Sequence, residues 1–283
     1  MADAVTTFAT GGPRRTRWQR VRWQAGIFSV YFGQFVKTRL AYRMDFLVDT
    51  LGVLASIAIQ LAVLTTLFSK VTALKGWSFE QVLFIYGFSL IPLGLFNLVS
   101  VNLYGFSDAY IIEGKFDRVL LRPVNALAQV LCESFNVSGL NEIGLGLAVG
   151  IWAAVRMQLE FGALDVVALL LLAPTAALVY LGVFLAITSV SFWVEDRMGI
   201  APPVYNVIRF SRYPLTIYSL PVRILLTFVL PFAWVAYYPA TWFVGGADLK
   251  LVAALTPLVG LVVFGGAVLI WRRGVGNYTS TGS

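Results

Sequence analysis

Asp108-Ala-Tyr-Ile-Ile-Glu-Gly-Lys-Phe-Asp-Arg-Val-Leu-Leu-Arg-Pro-Val124 is an island of charge between two long apolar runs. Within it Ile111, Ile112, Phe116, Val119 and Leu120 recur at helical spacing, and Glu113, Lys115, Asp117 and Arg118 fill the remaining positions. Pro123 resets the backbone before the next apolar run and biases Arg122 away from helix. The pattern predicts a short helix over about 108–121, lying across a membrane surface between two spanning helices. A partner docked on such a helix would push on both spans it joins.

Composition agrees with a membrane setting. Of the 283 residues 59% are hydrophobic and only 12% charged, against about 25% charged in soluble domains. The net charge of +7 does not mark a nucleic-acid binder. Eight of the 21 Lys and Arg precede Phe46 and most others fall in short loops, a distribution that sets topology rather than a phosphate-binding face. Histidine is absent and Cys132 is the only cysteine, which excludes disulfide frameworks, His-based acid–base chemistry and His/Cys metal sites within one chain. Cys132 reads as a small packed side chain.

Residues 1–16 are small, polar and basic, and read as a disordered N-terminus without a secretory signal. From 17 to 45 the apolar residues Trp18, Val21, Ala25, Phe28, Phe32 and Phe35 step by three and four among basic neighbours. That is an amphipathic interfacial helix, facing anionic lipid or packed on a protein partner. Apolar runs then predict an all-α integral membrane protein with six transmembrane helices, over about 46–68, 79–106, 124–155, 163–194, 222–238 and 249–271. Pro92 should kink the second, and the fourth should tilt or break near Pro174. The region 231–246 is a candidate re-entrant turn. Gly146 and Gly150 form a GxxxG pair suited to close helix packing.

With six spans both termini share one side with the island. The bases of the N-terminal segment, the island, the 195–223 stretch and the 273–283 tail far outnumber Lys70, Lys75, Arg156 and Lys250 on the opposite loops. The island side is therefore expected to be cytoplasmic. Polar residues inside the spans are candidates for a translocation pathway: Asn97, Glu133, Asn136, Asn141 and Glu142. On one continuous third helix Glu133 and Glu142 would point half a turn apart. Glu142, the deeper of the two, either lines a wet pathway or makes a structural interhelical hydrogen bond.

The run Ile112-Glu-Gly-Lys-Phe-Asp-Arg-Val-Leu-Leu-Arg-Pro-Val124 resembles the cytoplasmic signature of six-span bacterial ABC-2 type permeases. Phe192-Trp-Val-Glu-Asp196, Arg212-Tyr-Pro-Leu215, Leu230-Pro-Phe232, Tyr238-Pro-Ala240 and Trp271-Arg-Arg-Gly-Val-Gly-Asn-Tyr-Thr-Ser280 are similar to motifs of the same subfamily. The resemblance implies a type V exporter-like transmembrane domain in the bacterial cytoplasmic (inner) membrane. It implies pairing with a second permease copy or a sister permease, and two separate ATP-binding subunits. The 17–45 helix would be the connecting helix and the island the coupling helix, with Glu113, Gly114, Lys115, Phe116, Asp117 and Arg118 meeting the ATPase. No GxxxxGK[ST] stretch is present, so no cofactor is expected in this chain and ATP and Mg belong to the partner. The expected cargo is hydrophobic or amphipathic. The competing expectation is an ion-coupled secondary transporter using Glu133 and Glu142, although no inverted repeat is visible. A membrane enzyme is disfavoured by the scattered carboxylates and missing histidine.

Overall fold

A computed structural model describes residues 43–194 and 200–279. The expected disordered N-terminus and all but the last three residues of the expected connecting helix lie outside them. Among the described residues the fold is helical, the one extended feature being an isolated bridge between Leu74 and Trp77. The long helices are α1 (Arg43–Phe68), α2 (Phe79–Tyr104), α5 (Ser138–Arg156), α6 (Ala163–Ser189) and α11 (Thr256–Asn277). Short helices α3 (Lys115–Leu121), α4 (Ala126–Cys132), α7 (Ala201–Val207), α8 (Leu220–Ile224), α9 (Tyr237–Val244) and α10 (Ala247–Ala253) fill the connections. Among the described residues five stretches are long and apolar enough to cross a bilayer: Thr50–Phe68, Phe79–Ile112, Ser138–Arg156, Ala163–Phe192 and Asp248–Asn277.

Local chemistry explains several boundaries. The Ser78 hydroxyl accepts from the Gln81 backbone N–H and the Gln81 side chain accepts from the Ser78 N–H, a reciprocal cap that starts α2. At the head of α6 Asp165 Oδ2 accepts from the Gly162 N–H at 3.0 Å. Helix α6 runs through Pro174 as one helix, which leaves tilt rather than a break to fit its length, and α2 runs through Pro92.

Glycines decide how α2 and α5 meet. A Cβ on Gly87 would sit 2.6 Å from the Gly150 backbone nitrogen, and one on Gly146 would sit 2.7 Å from the Gly87 carbonyl oxygen. One turn-set lower, Gly94 and Gly139 abut through their backbones. The four positions make a seam where only hydrogen fits, so the helix axes approach closely and gain dispersion contact along their length. Of the GxxxG pair expected in the sequence, Gly146 belongs to that seam, while Gly150 lends it a backbone contact but has room for a Cβ of its own. Helices α6 and α11 use the same device, with Gly182 pressed on the Phe264 backbone and Gly260 on Thr175.

Three expectations about the spans need correction. The third is not one helix over 124–155: α4 ends at Cys132, residues 133–137 are unwound, and α5 begins at Ser138. The break is held open by polar groups, since the Asn136 N–H donates to the Leu98 carbonyl at 3.1 Å and the Ser138 N–H to Asn136 Oδ1 at 3.1 Å. The island is likewise not one helix over 108–121. A π-helical turn, Ser107–Ile112, extends α2, and Gly114 at φ 70° turns the chain into α3. Only glycine takes that left-handed backbone without strain.

The fifth crossing is also not at 222–238. Phe192 packs on Phe106, Phe116 and Trp271 at the island end of the bundle, with ring centroids 5.4, 5.1 and 5.1 Å away. From there the chain climbs α2. Tyr205 packs on Tyr104 at 5.4 Å, Arg212 lies 5.9 Å over the Tyr86 ring, and Thr216 Oγ1 accepts from Trp77 Nε1 at 3.0 Å. Trp77 belongs to the loop joining α1 to α2 at the far end. The crossing is therefore α7 and the 3-10 turns Ile208–Arg212 and Leu215–Ile217 that follow it. Leu220–Val229 and Phe232–Val244, bent by 73° at Pro231, then form a re-entrant hairpin. Phe232 reaches Tyr180 at 5.1 Å, while Gln81 Nε2 donates to the Val244 carbonyl at 3.4 Å as the hairpin returns to the far end. Pro221, Pro231 and Pro239 break the apolar run into pieces too short to span.

Candidate functional site

Two groups of residues stand out, one at the island and one inside the bundle. At the island α3 carries an outward face and a root. Glu113, Lys115 and Arg118 are exposed, and Lys115 Nζ lies 2.9 Å from Glu113 Oε2 in a pair that solvent reduces to little net stability. Leu121 is 84% exposed beside them, an apolar side chain at a charged tip. Phe116 faces the other way and is fully buried. Its ring meets Phe106 at 5.8 Å, Phe192 at 5.1 Å, Trp271 at 6.0 Å and Tyr278 at 5.0 Å, mostly edge to face. Phe116 therefore corrects the expectation that it touches an ATPase: it anchors α3 to the ends of α2, α6 and α11.

Asp117 is half-buried and faces Tyr278 beyond α11. Burial, and then the Asp117 carboxylate, push the Tyr278 phenol above its ordinary value. Phe116, Phe192, Trp271 and Tyr278, which belong to three motifs distant in the chain, thus converge on one aromatic cluster. Gln129 reinforces the turn after α3, with Nε2 donating to the carbonyls of Val119 at 3.1 Å and Val124 at 3.0 Å.

The intramembrane candidates do not form one group. Asn97 Nδ2 donates to Glu142 Oε2 at 2.7 Å and lies 3.3 Å from the Tyr205 hydroxyl, tying α2, α5 and α7 together. Asn141 turns away, its Nδ2 donating to Thr50 Oγ1 on α1 at 2.8 Å. Glu133 is exposed in the unwound stretch and accepts from the Tyr110 hydroxyl at 2.5 Å. Asn136 holds the break described above. The prediction that Glu133 and Glu142 ride one helix fails because that helix is interrupted between them.

The sequence reading missed the polar ladder of the fifth crossing. Tyr180 and Ser211 share a hydrogen bond at 2.9 Å, and Gln60 Nε2 donates to the Tyr213 hydroxyl at 2.7 Å. Gln60 is the strongly polar residue in the interior of the first span, and its partner lies in the 195–223 stretch expected on the island side. The signal available was the Arg209–Tyr213 stretch itself, in which Arg209, Ser211 and Arg212 are interspersed with Phe210 and Tyr213 beside an apolar run. Among the described residues no group of three or more His, Cys, Asp or Glu is placed to hold a metal.

A family model described as ABC-2 family transporter protein matches residues 54–282. No curated protein and no solved structure matches the chain.

Proposed function

The chain belongs to the ABC-2 transporter family, and from that premise we propose that it is the permease subunit of an ATP-driven exporter. Two separate ATP-binding subunits supply the energy, ATP and Mg being held on them, and the permease works as a pair with a second copy or a sister permease. The complex sits in the bacterial cytoplasmic membrane with the island and both termini in the cytoplasm. Moving Arg209, Arg212 and Arg223 off the island side of the charge count leaves the basic excess there intact.

The observation that carries this reading is the two-sided build of α3. Its exposed face offers Glu113, Lys115, Arg118 and Leu121 to a partner, and its buried face is rooted through Phe116 in three crossings. A motor that grips the exposed face moves α2, α6 and α11 together. ATP binding then shifts the permease pair between states by its differential affinity for them. The glycine seam and the polar ties of Asn97, Glu142 and Tyr205 make α2, α5 and α7 follow. The apolar walls suit a hydrophobic or amphipathic cargo.

Charge reversal tests this directly. Glu113→Lys and Arg118→Glu, both exposed, are expected to insert normally and to lower transport-coupled ATP hydrolysis at least about tenfold, each losing a charge-assisted contact at the interface. Wild-type coupling in both variants would remove α3 as the docking element. The secondary-transport reading has no comparable support, because Glu133 and Glu142 occupy different segments and Glu142 is held by Asn97.

A further inference from the structure

At the end of the bundle away from the island, an apolar slot of ≈ 240 Å³ lies beside the close approach of α2 and α5. Phe84 and Phe88 of α2, Gly150 of α5, Leu169 of α6 and Phe243 of the re-entrant hairpin line it. Exposed Leu147, Ile151 and Val155 flank the mouth, so the slot opens sideways to the hydrocarbon rather than to water. Its floor is built by absence: a Cβ on Gly150 meets no atom within 4 Å. Phe161 and Phe243 line the slot and also a smaller polar recess with Glu160, Trp242 and Lys250. Apolar slot and charged rim are thus continuous.

The rim has a definite charge pattern. Asp165 is committed to structure, with Oδ1 accepting from Trp242 Nε1 at 3.0 Å and Oδ2 from the Gly162 N–H. Lys250 Nζ lies 5.8 Å over the Trp242 ring, which keeps the ammonium at the rim without neutralising it. Glu160 is exposed on the other wall. One cation and one free carboxylate around an indole at the membrane interface complement a headgroup that carries both a phosphate and an amine.

We propose that this slot binds one phospholipid with a zwitterionic, amine-bearing headgroup from the surrounding leaflet. Its acyl chain lies along Gly150 against Phe84, Phe88 and Phe243, its phosphate on Lys250 and its ammonium on Glu160. The chain fills the slot beside the α2–α5 seam and packs the re-entrant hairpin against both helices. An anionic lipid of the same chains satisfies Lys250 but places its headgroup against Glu160 without a counter-charge.

The test uses the full-length protein, delipidated in detergent and titrated under native mass spectrometry with phosphatidylethanolamine or phosphatidylglycerol of identical acyl chains. Wild type is expected to prefer phosphatidylethanolamine. Gly150→Leu plugs the slot and is expected to weaken binding at least about tenfold, and Lys250→Glu, at an exposed position, to do the same by removing a charge-assisted contact. Gly144→Leu, whose Cβ also meets open space but lies off the slot, should bind as wild type. Unchanged affinity in both Gly150→Leu and Lys250→Glu, or equal affinity for the two lipids, overturns the proposal. Co-purification of an ATP-binding subunit with these variants reads the transporter assignment separately.

Discussion

Phe116 shows how one side chain can make a surface helix mechanically useful. Lys115 and Arg118 on α3 are charged and exposed, yet the Phe116 ring is held by Phe106, Phe192, Trp271 and Tyr278. Phe116→Ala is expected to cost about 3–5 kcal/mol, the usual range for a buried ring replaced by a methyl group. Thermal unfolding in detergent measures it, and Phe116→Leu should recover much of the loss. Glu142 illustrates the second residue-scale lesson. Its carboxylate accepts from Asn97 in the interior, where interhelical hydrogen bonds contribute about 1–2 kcal/mol. Glu142→Gln keeps an acceptor and is expected to retain both stability and substrate flux, while Glu142→Leu loses stability of that order. Abolished flux in a stable Glu142→Gln protein would revive ion coupling.

Elements pack here by backbone contact more than by interlocking side chains. The α2–α5 seam tolerates no Cβ at Gly87, Gly94, Gly139 or Gly146. Gly94→Leu is expected to separate the helices and lower the unfolding temperature sharply, while Gly144→Leu on the open face of α5 leaves it unchanged. Equal melting of the two variants would mean that the seam contributes nothing. The fifth crossing makes a sharper prediction because its position reverses the side on which Ser219 lies. On a Cys132→Ser background, Ser219→Cys is expected to react with a membrane-impermeant thiol reagent from the same side as Lys75→Cys. It should be protected on the side that modifies Lys115→Cys. The opposite labelling pattern would restore a cytoplasmic 195–223 loop and a fifth span at 222–238.

For the whole molecule, connectivity and packing assign different jobs to the two ends. The island end gathers the aromatic cluster and the exposed face of α3, and the far end gathers the re-entrant hairpin and the lipid-facing slot. Helix α1 stands apart, exposing Leu47, Leu51, Ile59, Val63 and Leu67 along its length. Hydrogen bonds through Thr50 and Gln60 tie it to α5 and the fifth crossing. In a bilayer so long an apolar surface faces lipid, and the permease pair proposed above would cover part of it.

The membrane class, the helical build and the charged island were legible in the chain because each rests on local composition. A run of apolar residues has no solution in a bilayer but a helix, and bases at loop ends set orientation. The outward charges of α3 were legible for the same reason. Four things depended on residues far apart in sequence: Phe116 turned inward, the break between Glu133 and Glu142, the Asn97–Glu142–Tyr205 tie, and the crossing hidden in 200–217. That last segment carries Arg209 and Arg212, whose charges are costly in lipid. Only the assembled bundle supplies Tyr86, Tyr180, Glu142 and Gln60 as its polar surroundings. Hydropathy measures a segment against lipid, whereas tertiary structure replaces lipid with protein, and that substitution decided which segment crosses.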